Sequence, residues 1–192
     1  MFKITRLSRL QLPLLITLLC LDGLTLLSAD SNAHFIYINT TQQTLSVIQN
    51  GKAAIVFENI SIGKGGASKL RKRGDSKTPL GEFKITWINE SSRYRLFFGI
   101  DFPNIDYAIR AYQAQIINLD EFISIQKSYA RKQLPSQETE LGGYIGIHGI
   151  GNGDLNTHLS YNWTDGCIAL TNKQILQLAK WINIGMKVII TS

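Results

Sequence analysis

The sequence predicts a mostly β domain with one or two helices packed on it. Three observations lead there. Short runs rich in β-branched and aromatic residues alternate between the turn residues of 34–98. Helical spacing is confined to two stretches, 104–132 and 171–185, and the apolar run at 187–191 reads as a closing strand. With 192 residues, 44% of them hydrophobic, the chain buries a proper core in a single domain, so disorder is excluded as its main state.

In chain order, residues 1–9 carry Lys3, Arg6 and Arg9 without an acid, 10–27 are dominated by Leu and Ile, and Ser28, Ala29, Ser31 and Ala33 follow. A basic start, an apolar middle and a small-residue exit form the layout of a secretory signal. The expected division is a signal over 1–29, cleaved after Ala29 or Ala33, and a domain over 30–192. An uncleaved membrane anchor is the alternative. Pro13 and Asp22 interrupt such a span, and a mid-span Asp costs roughly 3 kcal/mol. Cys20 does not suit lipidation, because bulky Leu19 precedes it.

Residues 34–39 and 44–49 read as strands joined onward by the turn pair Asn50-Gly51, and 53–62 as a further strand or two. Residues 63–81 hold five glycines and Pro79 and read as a loop. Alternation returns at 82–88 and 93–98. After Pro103, Asn104 is a helix cap for a stripe of Ile105, Ala108, Ile109, Tyr112, Ile116, Leu119 and Ile123, with a break expected at 118–120. Thr171 and Gln174 form a capping-box pattern ahead of Ile175, Leu178, Ala179 and Ile182, with Gly185 expected to end that helix.

Charge and cysteine counts narrow the function. The chain has 20 Lys and Arg against 14 Asp and Glu, a net +6, and two cysteines. Two cysteines exclude a disulfide scaffold and a four-cysteine zinc site. Removal of 1–29 leaves about 163 residues at about +4, with Cys167 alone. A lone thiol in an oxidising compartment needs a reason.

Two segments offer one. In 142–149 an alternating strand delivers His148 just ahead of Gly149; in 163–170 Gly166 frees the backbone beside Cys167. A free thiol is only a few per cent ionised at neutral pH, so a nucleophilic cysteine needs a base or a cation close by. His34 lies at the mature terminus and His158 in a polar loop, which leaves His148 as the best partner. Taken alone, these residues fit catalysis and a structural thiol about equally, since buried cysteines are common.

His148-Gly149, followed by Cys167 inside Thr164-Asp165-Gly166-Cys167-Ile168, resembles the signature of the L,D-transpeptidase catalytic domain (YkuD type). Ile62-Gly63, Gly74-Asp75 and Thr78-Pro79-Leu80-Gly81 match that family's recurring glycine loop, and the resemblance spans roughly 34–191. It implies a mostly β fold, a β-sandwich or partly closed barrel with packed helices. It further implies a reaction on peptidoglycan stem peptides in the periplasm or cell envelope. Cys167 would form a thioester with the third stem residue, His148 would be general base, and an amine of a second stem would resolve the thioester into a cross-link. Gly149, Thr164 and Gly166 are implied as substrate or oxyanion support. No cofactor, no metal, no nucleic acid and no stable membrane insertion after signal cleavage are implied, and a monomer is expected. A carboxypeptidase or protein-releasing hydrolase with the same thioester, and a non-catalytic wall-binding module, are the alternatives.

Three positions depart from the family pattern. Asp165 stands where many members have His, and is expected to point away from the sulfur. Ala169 stands where many have Arg, so a contact to a substrate carboxylate must come from elsewhere. Residues 104–141 are longer than usual and form either a lid or a packed insertion.

Other signals are weaker. Lys64, Lys69, Arg71, Lys72, Arg73 and Lys77 make a basic loop, read either as a rim attracting carboxylates or as a solvated surface. The export signal and the lack of basic-aromatic interleaving argue against nucleic acid. Residues 149–153 lack a phosphate loop's Lys-Ser/Thr. His148, Asp154 and His158 lack metal-ligand spacing.

Overall fold

The computed structural model describes residues 34–192, so the signal reading of 1–29 lies outside the described residues. The first half of the chain forms β1 (Phe35–Asn39), β2 (Thr44–Gln49), β3 (Lys52–Phe57), β4 (Ala67–Ser68), β5 (Thr78–Pro79), β6 (Gly81–Asn89) and β7 (Phe97–Ile100). The second half adds α1 (Ile105–Gln113), α2 (Leu119–Ala130), β8 (Gly146–Gly149), α3 (Leu155–Ser160), β9 (Ile168–Leu170), α4 (Asn172–Leu178) and β10 (Lys187–Thr191). Strand predominates, and the fold is mostly β as expected.

Eight strands make one sheet in the order β3-β2-β1-β10-β6-β7-β8-β9, with β4 and β5 as a separate parallel pair. The strands form because alternate residues have a core to enter. Ile36, Ile38, Leu45, Val47, Val188 and Ile190 are all essentially buried, each contributing about 1.5–3 kcal/mol by leaving water. Asn50 and Gly51 both take positive φ, 53° and 72°, the twist a two-residue hairpin between β2 and β3 requires.

Strand β6 divides the sheet. Its first half pairs with β10 and its second with β7, and the register shifts between Ile85 and Trp87. Past the edge strand β3 the chain crosses to the other edge, where Ser61 and Ala169 exchange backbone hydrogen bonds of 2.9 and 2.7 Å. Among the described residues the edges thus meet only at this bridge and a second one between Gly63 and Thr164, and the sheet is not closed into a barrel. That bridge brings the glycine-rich loop at 63–81 beside the start of β9.

The helical segments differ in detail from the sequence reading. Residues 104–132 are two helices, capped by Asn104 and Asn118, whose side chains accept the N–H of Tyr107 and Glu121. Ile109, Tyr112 and Leu119 of the predicted stripe are exposed, while Tyr107, Ala108 and Ala111 are buried. Tyr107 turns inward because its hydroxyl has partners there, accepting from the Arg71 N–H at 2.8 Å and reaching the Ser68 carbonyl at 3.4 Å. With Ile117 and Ile125 also in the core, both helices pack on it. The Thr171–Gln174 capping box is present, but α4 ends at Leu178, and Gly185 instead turns the chain into β10. Of 93–98, only Phe97 and Phe98 are strand, because Arg95 takes φ 78°. Among the described residues no helix is long and apolar enough to cross a membrane.

Candidate active site

The candidate site sits where β8 and β9 run side by side. In this parallel pair Ile147 is opposite Ile168 and His148 opposite Ala169. Cys167, one residue before β9, therefore lies on the same face as His148, displaced by one strand and two residues along it.

His148 is 2% exposed and walled by rings. Tyr94 lies 4.3 Å away between centroids, Phe97 stacks at 5.8 Å and 7°, and Trp163 meets the imidazole edge-on at 5.8 Å. Its Nδ1 is 2.7 Å from the Gly149 carbonyl oxygen. A carbonyl only accepts, so Nδ1 carries the proton and Nε2 is left as the bare, basic nitrogen. Burial pushes the imidazole down to about 4, against the raising effect of the Gly149 carbonyl.

Cys167 is half-buried and unpaired. Its Sγ–H donates to the Tyr144 carbonyl at 3.4 Å, from the β8 side of the site. Burial pushes the thiol up to about 11, while the Gly146 N–H and Arg71 favour the thiolate.

The loop ahead of Cys167 is strapped down by its own hydroxyl. Thr164 Oγ1 donates to the Cys167 carbonyl at 2.7 Å and accepts the Gly166 N–H at 3.1 Å. The Gly166 N–H, expected to help hold an oxyanion, is thus already committed to Thr164. The loop is held again from below, because the Lys64 N–H donates to the Thr164 carbonyl at 2.9 Å and the Thr164 N–H to the Ile62 carbonyl at 3.2 Å. Gly166 has φ +126°, and a Cβ there would stand 2.6 Å from the Lys77 carbonyl oxygen. Only glycine fits that corner. Asp165 is exposed; its Oδ1 accepts from Lys64 at 2.9 Å and from the Ser76 hydroxyl at 3.0 Å. Those two partners hold it below the usual carboxylate range.

Three residues near the site were read otherwise in the sequence. His158 was placed in a polar loop; it lies in α3, 3% exposed, and its Nδ1 accepts the Trp163 indole N–H at 3.3 Å. Arg71, counted among surface bases, is 4% exposed against the Asp165–Gly166 backbone, whereas Lys64, Lys69, Lys72 and Arg73 are exposed. Its spacing to Asp75, one helical turn's worth of residues, was the only local hint. Tyr94 passed as an ordinary strand aromatic, and nothing local marks it as a wall of His148.

A cleft of about 440 Å³ lined by Arg93, Tyr94, Ile150, Asp154 and Trp163 among others shares two of its walls with the imidazole. A larger cavity of about 970 Å³ lies elsewhere, between β6 and the α2 end, and touches neither Cys167 nor His148. No group of three His, Cys, Asp or Glu is arranged to hold a metal among the described residues.

Comparison with known proteins follows the same lines. The model of the YkuD family, the L,D-transpeptidase catalytic domain, matches residues 33–190. No curated protein matches. Among solved structures the chain is similar to the helical cell shape determining protein Pgp2 from Campylobacter jejuni, at 21% identity and a TM-score of 0.59 over 85% of this chain and 49% of that one. It is also similar to Bd1075 from Bdellovibrio bacteriovorus, at 20% identity and a TM-score of 0.51 over 85% and 50%. At these identities the likeness is one of fold, and the chain spans about half the length of these solved chains.

Proposed function

Because the chain belongs to the L,D-transpeptidase catalytic domain family, we propose that it is an exported cysteine acyltransferase cross-linking peptidoglycan stem peptides. The observation that supports this reading most is the tautomer of His148. With Nδ1–H held by the Gly149 carbonyl, a bare Nε2 remains on the face of the β8–β9 pair that also carries Cys167.

The chemistry follows from those two atoms. Cys167 Sγ attacks the carbonyl carbon of the third stem residue, and its proton passes to His148 Nε2. The carbonyl oxygen becomes an oxyanion, for which the Cys167 N–H is the donor we assign, the Gly166 N–H being taken by Thr164. Collapse breaks the peptide bond, and the imidazolium returns the proton to the departing D-alanine amine. The amine of a second stem then attacks the thioester carbonyl and gives its proton to the same Nε2, and collapse breaks the C–S bond and returns that proton to Cys167 Sγ. Burial raises the thiol and lowers the imidazole, which favours the neutral pair over thiolate and imidazolium. The aromatic cleft beside His148 is on the side from which we expect the acceptor amine to approach.

The test is mass spectrometry of tetrapeptide muropeptides incubated with the protein, with and without an acceptor stem. Cross-linked dimers and released D-alanine are expected from the wild type and neither from Cys167→Ala. Dimer formation by Cys167→Ala overturns the reading, and acceptor-independent loss of D-alanine assigns hydrolysis in its place.

A further inference from the structure

Arg71 is the buried charge that the proposed chemistry leaves unused. It stands in the loop between β4 and β5, and its backbone N–H is fixed on Tyr107. Its guanidinium lies over the Phe102 ring at 5.5 Å. Nη2 donates to the Asp165 carbonyl at 3.4 Å. A Cβ on Gly166 would stand 3.0 Å from Nη1 and 3.3 Å from Cζ. The head group is therefore in contact with the two residues that precede Cys167.

Its hydrogen bonding is incomplete. Nε and Nη1 are buried and have no partner among the described residues. The nearest acid, Asp75, reaches Nε only at 3.7 Å, and its Oδ2 and Oδ1 are engaged by the N–H groups of Lys72 and Lys77. Burying a guanidinium with donors unmet is costly, and here the cation is aimed at the nucleophile's loop. The charged groups facing the sulfur are few. Arg71 favours the thiolate and Asp165 opposes it, though Asp165 is tied outward to Lys64 and Ser76; His148 stands one strand over, on β8.

We propose that Arg71 is a positioning residue for Cys167: it holds the Asp165–Gly166 backbone in place and supplies the fixed positive charge against which negative charge develops on the sulfur. The role rests on the acyltransferase reading for its purpose but not for its measurement. Arg71 is too deeply covered to meet the substrate, so it acts through the loop. It offers the sulfur a cation that needs no proton of its own, since a guanidinium stays charged throughout the working range.

The test is the rate of Cys167 alkylation by neutral iodoacetamide as a function of pH, which needs no peptidoglycan. Arg71→Met is expected to move the midpoint upward by about one unit, alkylating about tenfold more slowly at any pH below it. Arg71→Lys is expected to restore much of that loss, a recovery that a purely structural role does not provide. Arg71→Gln, which keeps a polar head without the charge, decides the matter if Arg71→Met fails to fold. An unchanged midpoint in whichever of these neutral variants folds overturns the proposal. Shifted midpoints in a protein that makes no cross-links uphold Arg71 and remove the acyltransferase reading.

Discussion

The indole N–H of Trp163 donates to Nδ1 of His158, and this one bond sets the wall against which the candidate base His148 is packed. Trp163 is adjacent to Thr164, so the residue that closes the imidazole's pocket also begins the loop that leads to Cys167. His148 and Cys167 are therefore positioned by one stretch of chain.

Opening that wall changes the base. Trp163→Ala admits water to His148 and relieves the desolvation that holds it near 4. Its pKa is expected to rise toward the ordinary value of about 6.5, with Trp163→Phe in between. Titration of the imidazole Cε1–H resonance measures this, and an unmoved midpoint in Trp163→Ala contradicts the assigned cause.

The same burial makes stability pH-dependent with a definite sign. The folded pKa of His148 lies below the unfolded one, so the unfolded chain binds the proton more readily between pH 6.5 and 4. Stability is whole above that window and is lost as pH falls through it, by about 3 kcal/mol. Urea midpoints at pH 7, 5.5 and 4.5 should fall less steeply in His148→Phe than in the wild type. Parallel curves rule out His148 as the source.

Asp165 gives the contrasting case of an exposed charge. Its ion pair with Lys64 is open to solvent, and such pairs contribute about 1 kcal/mol at most. Asp165→Asn is expected to leave the thermal midpoint nearly unchanged while alkylation of Cys167 speeds up a few-fold, about half a pKa unit. Slower alkylation runs against the electrostatic account.

On β7, beside the strand that carries His148, Gly99 tests the sheet's bend. A Cβ there would stand 2.0 Å from Trp87 Nε1, and Trp87 stacks on Phe97 at 4.7 Å, which in turn stacks on His148. Gly99→Ala is expected to cost about 2–4 kcal/mol. Part of that cost should vanish when Trp87→Ala is combined with it, a coupling read by a double-mutant cycle of chemical denaturation. Simple additivity shows that the two do not compete for space.

Much of this was legible in the chain because it is local. Asn50-Gly51 needs positive φ at both residues, the Thr171–Gln174 box closes within one turn, and His148 and Cys167 are marked by flanking glycines. What was not legible depends on contacts between distant segments. Arg71 reads as one more base in a loop until Tyr107 and Asp165 arrive to cover it. His158 reads as polar until Trp163 folds back onto it. The fate of the Gly166 N–H is decided by the rotamer of Thr164, which composition and spacing do not specify.

Strand β10 lies between β1 and β6, parallel to the former and antiparallel to the latter. On the ribosome, then, the two halves of the sheet lack their shared neighbour until synthesis has passed residue 191. A growing chain can make hairpins from β1 to β3 and from β6 to β7, with only the isolated bridges Ser61–Ala169 and Gly63–Thr164 to join them. The core closes late and all at once, from contacts of the longest sequence separation. A nick or frameshift in β10 therefore removes the strand that both halves of the sheet pair with, rather than a frayed edge.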